Sequence, residues 1–168
     1  VLARILRPPK AALIYPIPPA PRCAVLAAGF RPQGTVRVFP SGWNEDAAKF
    51  QPQALAAPLD RLEALAGKLT LTHAVIVFRR EWEPRLDAAQ RDRLWRAFRV
   101  PVFEQILAEN GALLAAECEA HDGLHIESAK FAAGDHEIDR AACACGKTSP
   151  RLTGTGRDAI RRVAAYAR

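Results

Sequence analysis

One stretch limits the choice of fold more than any other. Ala74-Val75-Ile76-Val77-Phe78 is an unbroken run of β-branched and aromatic side chains with no polar alternation. A strand without a polar face has to be covered on both sides, as the strands of parallel sheets are. Asp87 stands where it can cap a helix from Ala88 to Phe98, with Leu94, Trp95 and Phe98 as the apolar stripe and arginines outside. Val100 to Leu107 reads as a second strand. Strand, helix, strand at this spacing predicts a right-handed parallel crossover. The fold class expected is α/β: a single domain with a βαβ parallel core.

The flanking sequence is read by the same periodicities. Ala11 to Tyr15 and Cys23 to Ala27 are short apolar runs bounded by prolines, as expected of buried or edge strands. Thr35 to Phe39 alternates and predicts a half-exposed strand. Pro40 to Pro52 is polar and reads as a loop, pinned to the body by Trp43 and Phe50. Pro58 to Lys68 places Leu59, Leu62 and Leu65 on one helical face, with Asp60 and Glu63 near its start and Gly67 near its end. Past the core, Ala112 to Ala116 and Leu124 to Glu127 predict an antiparallel hairpin around Asp122-Gly123. Arg157 to Tyr166 is expected to close the chain as a helix, with Gly154-Thr155-Gly156 as a flexible lead into it. The organisation expected is therefore one domain over 1–156 and a C-terminal helix over 157–168.

Chemistry is concentrated between Glu117 and Leu152. Three of the four cysteines (Cys118, Cys143, Cys145) and three of the four histidines (His121, His125, His136) fall in this segment. Thiolate and imidazole are the ligands of structural zinc, which takes four of them in a tetrahedron. The hairpin brings Cys118 toward His125, and Cys143-Ala144-Cys145-Gly146 forms a short knuckle offering two sulfurs from one loop. The expected cofactor is one zinc ion held by Cys118, His125, Cys143 and Cys145, with His121 as the alternative to His125. Plainly packed thiols and a disulfide remain the competing readings, because free cysteines are often buried and the Cys-x-Cys gap is shorter than usual for zinc. His73 and His136 lack partner spacing and receive no role.

Composition sets outer limits. The chain has 168 residues, enough for one sizeable core, and carries a formal net charge of +6. Arg4, Arg7, Lys10 and Arg22 make one end basic, and residues 147–168 make the other so. Solvated basic ends account for this more simply than nucleic acid, since interleaved aromatics and DNA-binding motifs are missing. Cysteine usage fits a reduced, cytoplasmic setting rather than a secreted disulfide scaffold. The longest apolar run, Ala11 to Phe30, is broken by four prolines and Arg22, so neither a membrane span nor a signal peptide is expected. The chain has no methionine, so Val1 is expected to be a processed or trimmed start.

A resemblance adds to this reading. Val75-Ile76-Val77-Phe78, Glu81-Trp82-Glu83-Pro84, the arginine-rich helix, Val100-Pro101-Val102-Phe103, Leu107 to Gly111, Glu117-Cys118, Asp122-Gly123-Leu124-His125 and Cys143-Ala144-Cys145-Gly146-Lys147-Thr148-Ser149-Pro150-Arg151 occur in this order. Together they resemble the phenylacetate–CoA ligase branch of the adenylate-forming, AMP-dependent synthetase family, over about Thr70 to Arg157. The resemblance implies an α/β core, ATP-dependent activation of a carboxylate and, in some members, zinc near the hairpin and the knuckle. It also implies that Glu109 occupies the position of a Mg²⁺-holding glutamate and that Asp135 is the remnant of a ribose-holding aspartate.

Departures from the family pattern change the expected function. The Ser/Thr/Gly-rich phosphate loop is not found; Pro40-Ser41-Gly42-Trp43 has one small pair and then a bulky ring. The family's Gly-Gly-Glu-Pro is Glu81-Trp82-Glu83-Pro84, and a tryptophan there is expected to fill the adenine space or redirect the strand end. The family's Tyr-Gly-Leu-Thr-Glu keeps only Leu107 and Glu109, and the C-terminal lid with its catalytic lysine is expected to be missing. With catalytic residues assigned to none and Glu109 and Asp135 as vestiges, the expectation is a zinc-stabilised pseudoenzyme. It would bind a protein partner, a second copy of itself, or an acyl, acyl-CoA or nucleotide-like ligand. The alternatives are an acyl–CoA ligase subunit completed by a partner chain, and a nucleic-acid binder.

Overall fold

A computed structural model describes residues 10–129, 131 and 136–155. The expected helix over Arg157 to Tyr166, the basic Arg4 and Arg7, the carboxylate of Asp135 and the 156–157 boundary lie outside the described residues. The structure is a mixed α/β fold on one nine-stranded sheet. Its elements are β1 (Cys23–Val25), β2 (Val36–Val38), α1 (Glu45–Lys49), β3 (Ala54–Pro58), α2 (Leu59–Leu65), β4 (Ala74–Arg80), α3 (Ala88–Phe98), β5 (Val102–Leu107), β6 (Leu113–Glu117), β7 (Leu124–Ile126), β8 (His136–Asp139) and β9 (Arg151–Thr155). The strand order is β2-β1-β3-β4-β5-β6-β7-β9-β8.

The first five strands of that order run parallel, and β5 onward is antiparallel. Strand β4 lies between β3 and β5, with Val75 opposite both Leu55 and Val102. Every residue from Ala74 to Arg79 is buried, so the unbroken apolar run occupies the covered centre that its composition demands. One face packs Leu55, Val75 and Val77 against Leu62 and Leu65 of α2 and Leu94 and Phe98 of α3. The other packs Ile76, Phe78 and Phe103 against Phe30 and the N-terminal segment at Leu13, with the Phe30 and Phe78 rings stacked at 4.6 Å. A smaller cluster of Ile106, Leu114, Ala115, Leu124 and Leu152 continues the core into the antiparallel half.

Helix α3 begins as its sequence dictates. The Asp87 carboxylate accepts from Gln90 N–H at 2.7 Å, and the Gln90 side chain accepts from Asp87 N–H at 3.1 Å, a reciprocal capping box. Asp87→Ala is expected to cost about 1 kcal/mol; a shift in the urea midpoint at constant slope measures it. The apolar stripe is narrower than the sequence suggests. Leu94 and Phe98 are buried, but Trp95 lies one step round the helix, 47% exposed, with Arg99 over its ring. Nor do all the arginines face outward: Arg91 reaches under the helix to two buried carboxylates.

Other differences have local causes. The Pro40–Pro52 segment contains α1, capped by Asn44, whose side chain accepts from Ala47 N–H at 2.9 Å. Strand β3 is fully interior, yet its Ala-Leu-Ala-Ala composition carries little strand propensity, so only tertiary burial specifies it. Ala11 to Tyr15 makes a single bridge, Ala11 to Phe30, instead of a strand. Trp82, expected to fill the adenine space or redirect the strand end, is 63% exposed just beyond β4. Strands β8 and β9 extend the sheet where no strand was expected, and Gly154, read as part of a flexible lead, pairs with Glu137 inside the ladder.

Candidate metal centre

The switch to antiparallel pairing at β5–β6 carries the chain back to the amino end of β5. Cys118 is the residue after β6, and the 118–123 loop returns into β7, pairing Glu117 with Leu124 and Ala116 with His125. Gly123 in that loop has φ +88°, and a Cβ there would stand 2.5 Å from the Leu152 carbonyl oxygen, so only glycine lets the loop meet β9. His125, fully buried in β7, faces the turn between β8 and β9. That turn supplies Cys143 and Cys145 and is closed by Gly146 N–H to the Cys143 carbonyl at 2.9 Å, with Gly146 at φ +85°.

Four ligand atoms meet there. Those of Cys118, His125, Cys143 and Cys145 all lie within 4.8 Å of one another, and the cluster can hold a metal ion. The Sγ atoms of Cys118 and Cys143 are 3.7 Å apart, and Cys145 Sγ is 3.3 Å from His125 Nε2. A tetrahedron with metal–sulfur bonds near 2.3 Å has S···S edges of about 3.8 Å and S···N edges of about 3.6 Å. These separations fit. The cysteines are free thiols. His125 Nδ1 is 2.9 Å from Ser149 Oγ and 3.2 Å from the Ser149 carbonyl. Donation from Nδ1–H to that carbonyl leaves the Nε2 lone pair facing the sulfurs, the outer-shell orientation that ligating histidines use.

Local electrostatics favour sulfur ligation. The Cys145 backbone N–H holds the Cys143 thiol well below its ordinary pKa, against the opposing effect of burial. Burial pushes the Cys118 thiol up, so bound metal would be what draws off its proton. Buried Arg151 ties three segments of the site together, bonding Asp122 before Gly123 and Asp139 at the end of β8. His121, the alternative ligand, is turned elsewhere: its Nδ1 bonds Glu117 Oε1 at 3.0 Å and its ring stacks on Phe103 at 4.5 Å. Cys23 stands apart in the core, its thiol pushed up to about 12 by burial.

Sequence reasoning missed an ionic cluster beside this centre. Glu104 is fully buried on β5, accepting from Leu86 N–H at 2.9 Å and lying 3.3 Å from both Arg85 and Arg91. Glu117 accepts from Glu104 N–H at 2.9 Å and from Arg91 at 3.0 Å. The available signal was a glutamate in the middle of the apolar run Val102 to Leu107, since buried carboxylates require paired cations. Arg85, Arg91, His121 and Trp95 border a groove of about 610 Å³ at this end of the sheet.

Of the two residues read as nucleotide vestiges, Asp135 is outside the described residues and Glu109 lies at the opposite end of the sheet. Glu109 is exposed in the tight β5–β6 turn, where Gly111 N–H bonds the Ala108 carbonyl, and it lines neither that groove nor the cleft at the carboxyl ends of the parallel strands. That cleft, about 290 Å³, is bordered by Ala27, Pro40, Pro58, Arg61, Phe78, Arg80 and Leu107. Among the described residues no helix is long and apolar enough to cross a membrane.

Comparison with protein-family models and with curated proteins gives no match. Among solved structures, the chain is similar to 2-hydroxyisobutyryl-CoA ligase, in an open conformation in complex with 2-HIB-AMP and CoA. The TM-score is 0.57 at 15% identity, over 83% of this chain and 46% of that one. The chain thus spans less than half the length of the ligase that it resembles. What the two share is the fold: an α/β core of the kind found in an acyl-CoA ligase.

Proposed function

We propose that this chain is a zinc-held, non-catalytic binding protein built on the ligase core of the phenylacetate–CoA ligase branch. The observation that supports it is the convergence of the ligand atoms of Cys118, His125, Cys143 and Cys145 within 4.8 Å of one another, at the end of the sheet opposite the cleft. Four protein ligands complete a zinc coordination shell and leave no position for an activated water, so the metal's role is structural. It joins the hairpin after β6 to the turn before β9 and fixes the antiparallel half of the sheet. The ligand site is the cleft at the strand ends, and candidate ligands include an acyl, acyl-CoA or nucleotide-like molecule or a protein partner. Purified chain is expected to contain one zinc per molecule by elemental analysis and to catalyse no ATP–pyrophosphate exchange with carboxylic acids. Robust exchange would end the non-catalytic reading.

A second reading follows from the length comparison. A chain matching 46% of a ligase is also what one subunit of a divided acyl–CoA ligase would look like, with a partner chain supplying the ATP elements. Native mass spectrometry separates the two readings: a second chain with an ATP-binding sequence favours the subunit, and a zinc-loaded monomer or homo-oligomer favours the binding protein.

A further inference from the structure

Resting on the binding-protein reading above, we propose that the cleft at the carboxyl ends of the parallel strands binds a small organic oxyanion, with a carboxylate or phosphate head on a short apolar body. The parallel strands lie in the order β2-β1-β3-β4-β5, so the chain reverses its direction of travel across the sheet between β1 and β3. Ligands of open parallel sheets settle in the crevice at such a reversal, outside the carboxyl ends of the strands. The cleft is there: Ala27 and Ala28 follow β1, Pro58 ends β3, Phe78 to Arg80 end β4 and Leu107 ends β5.

The polar lining is strongly one-sided. Arg61, Arg79 and Arg80 face one carboxylate, that of Glu83. Glu83 is committed to its own loop, accepting from Arg80 N–H at 2.7 Å and lying 3.9 Å from Arg79 Nε. Arg79 is buried and spends its guanidinium on the Pro84 carbonyl. Arg61 and Arg80 have no carboxylate partner among the described residues. Both are held in place by backbone carbonyls: Arg61 Nη1 donates to Leu26 at 2.7 Å and to Pro40 at 3.3 Å, and Arg80 Nη1 donates to Ala108 at 2.8 Å. Their Nε and Nη2 groups have no protein acceptor among the described residues.

Two guanidinium forks thus line the cleft with full charge, spare donors and restricted motion, the arrangement that suits an oxyanion. Phe78, Leu107, Pro40 and Pro58 form the apolar remainder of the wall. A volume of about 290 Å³ is at the small end for ligand sites, too small to enclose a whole coenzyme A. Head-group charge and a short apolar body together define the class.

Zinc-loaded full-length protein titrated calorimetrically with inorganic phosphate and with butyrate is the test. At least one is expected to saturate a single site; tighter butyrate identifies a carboxylate ligand and tighter phosphate a phosphate ester. Arg61→Gln and Arg80→Gln are each expected to weaken binding by about ten- to a hundredfold, the factor for losing a charge-assisted hydrogen bond. Arg96→Gln, exposed on α3, is expected to change nothing. If either cleft variant fails to fold, phenylglyoxal modification of the unmutated protein gives the answer: the better anion should protect Arg61 and Arg80 but not Arg96. No saturation by either anion up to about 10 mM overturns the proposal, as does equal weakening by Arg96→Gln or uniform protection of all three arginines. Failure to bind would leave zinc content and the missing pyrophosphate exchange as they are, whereas exchange activity removes the non-catalytic reading whether or not an anion binds.

Discussion

The Cys143→Ser protein is expected to come through purification without its metal and with the segment from Glu117 to Leu152 loosened. Serine keeps the volume of this buried side chain but offers no thiolate, so packing is nearly conserved and ligation is not. Binding of a structural zinc is worth about 10–16 kcal/mol in small peptides, where it is also the folding free energy. Here the parallel half has its own core of Leu55, Val75, Val77, Leu94 and Phe98, so the loss should be confined to β6 through β9. Elemental analysis should fall from one zinc to near zero, and amide exchange should rise in β7 and β9 while β4 stays protected. His121→Ala should keep its metal, because that ring bonds Glu117 outside the cluster. A metal-replete, fully stable Cys143→Ser protein would overturn the ligand assignment.

The second large effect is expected at Glu104. Glu104→Ala leaves Arg85 and Arg91 without the buried carboxylate that both approach at 3.3 Å, and leaves the Leu86 N–H without its acceptor. Breaking one side of a buried ion pair costs about 3–5 kcal/mol. The two arginine side chains are 22% and 27% exposed and keep some water, which places the expected loss near the lower end of that range. Glu104→Gln retains the Leu86 contact and should cost about 1–3 kcal/mol, the penalty for one weakened charged hydrogen bond. Urea unfolding of both variants gives the comparison; equal midpoints for Ala, Gln and the unmutated chain would refute the role of the cluster.

Its neighbour gives the cluster a pH dependence. Burial alone would raise the Glu117 carboxyl, but the His121 hydrogen bond and the charge and hydrogen bonds of Arg91 outweigh it and hold the group below the usual carboxylate range. A carboxyl lowered in the folded state contributes stability that is fully present above its unfolded value, about 4.3 for glutamate. That stability is lost as pH falls through the lower native value, so the antiparallel half should loosen in acid.

What could be read from the sequence is what local chemistry decides. Asp87 with Gln90 marks the start of α3, and the β-branched run marks β4, because capping and two-sided burial leave their signs within a few residues. The four metal-ligand candidates were legible for a related reason: Cys and His donors clustered in a polar segment have few other uses. Strand β3 was not, because four of its five residues are alanine or proline and only its neighbours β1 and β4 make it a strand. The Glu104–Arg91–Glu117 cluster was equally hidden, since its members are brought together by a helix crossing two strands. The arginines of the cleft escaped notice because Arg61 comes from helix α2 and Arg80 from the end of β4, and the two meet only at the strand ends.

The reversal of strand direction at β5–β6 has a consequence for cooperativity. Strands β2 to β5 follow one another through connections that carry α1, α2 and α3, whereas the described core over β6 to β9 is a smaller cluster around Ile106, Leu114, Leu124 and Leu152. Regions with sparse apolar packing open at lower free energy than the global transition and do so as contiguous units. With the proposed zinc bound, the sheet would form two opening units that share β5, one closed by hydrocarbon and the other by coordination. A chelator should melt the second while the first stays folded, and a native chain should show two tiers of amide protection meeting at β5.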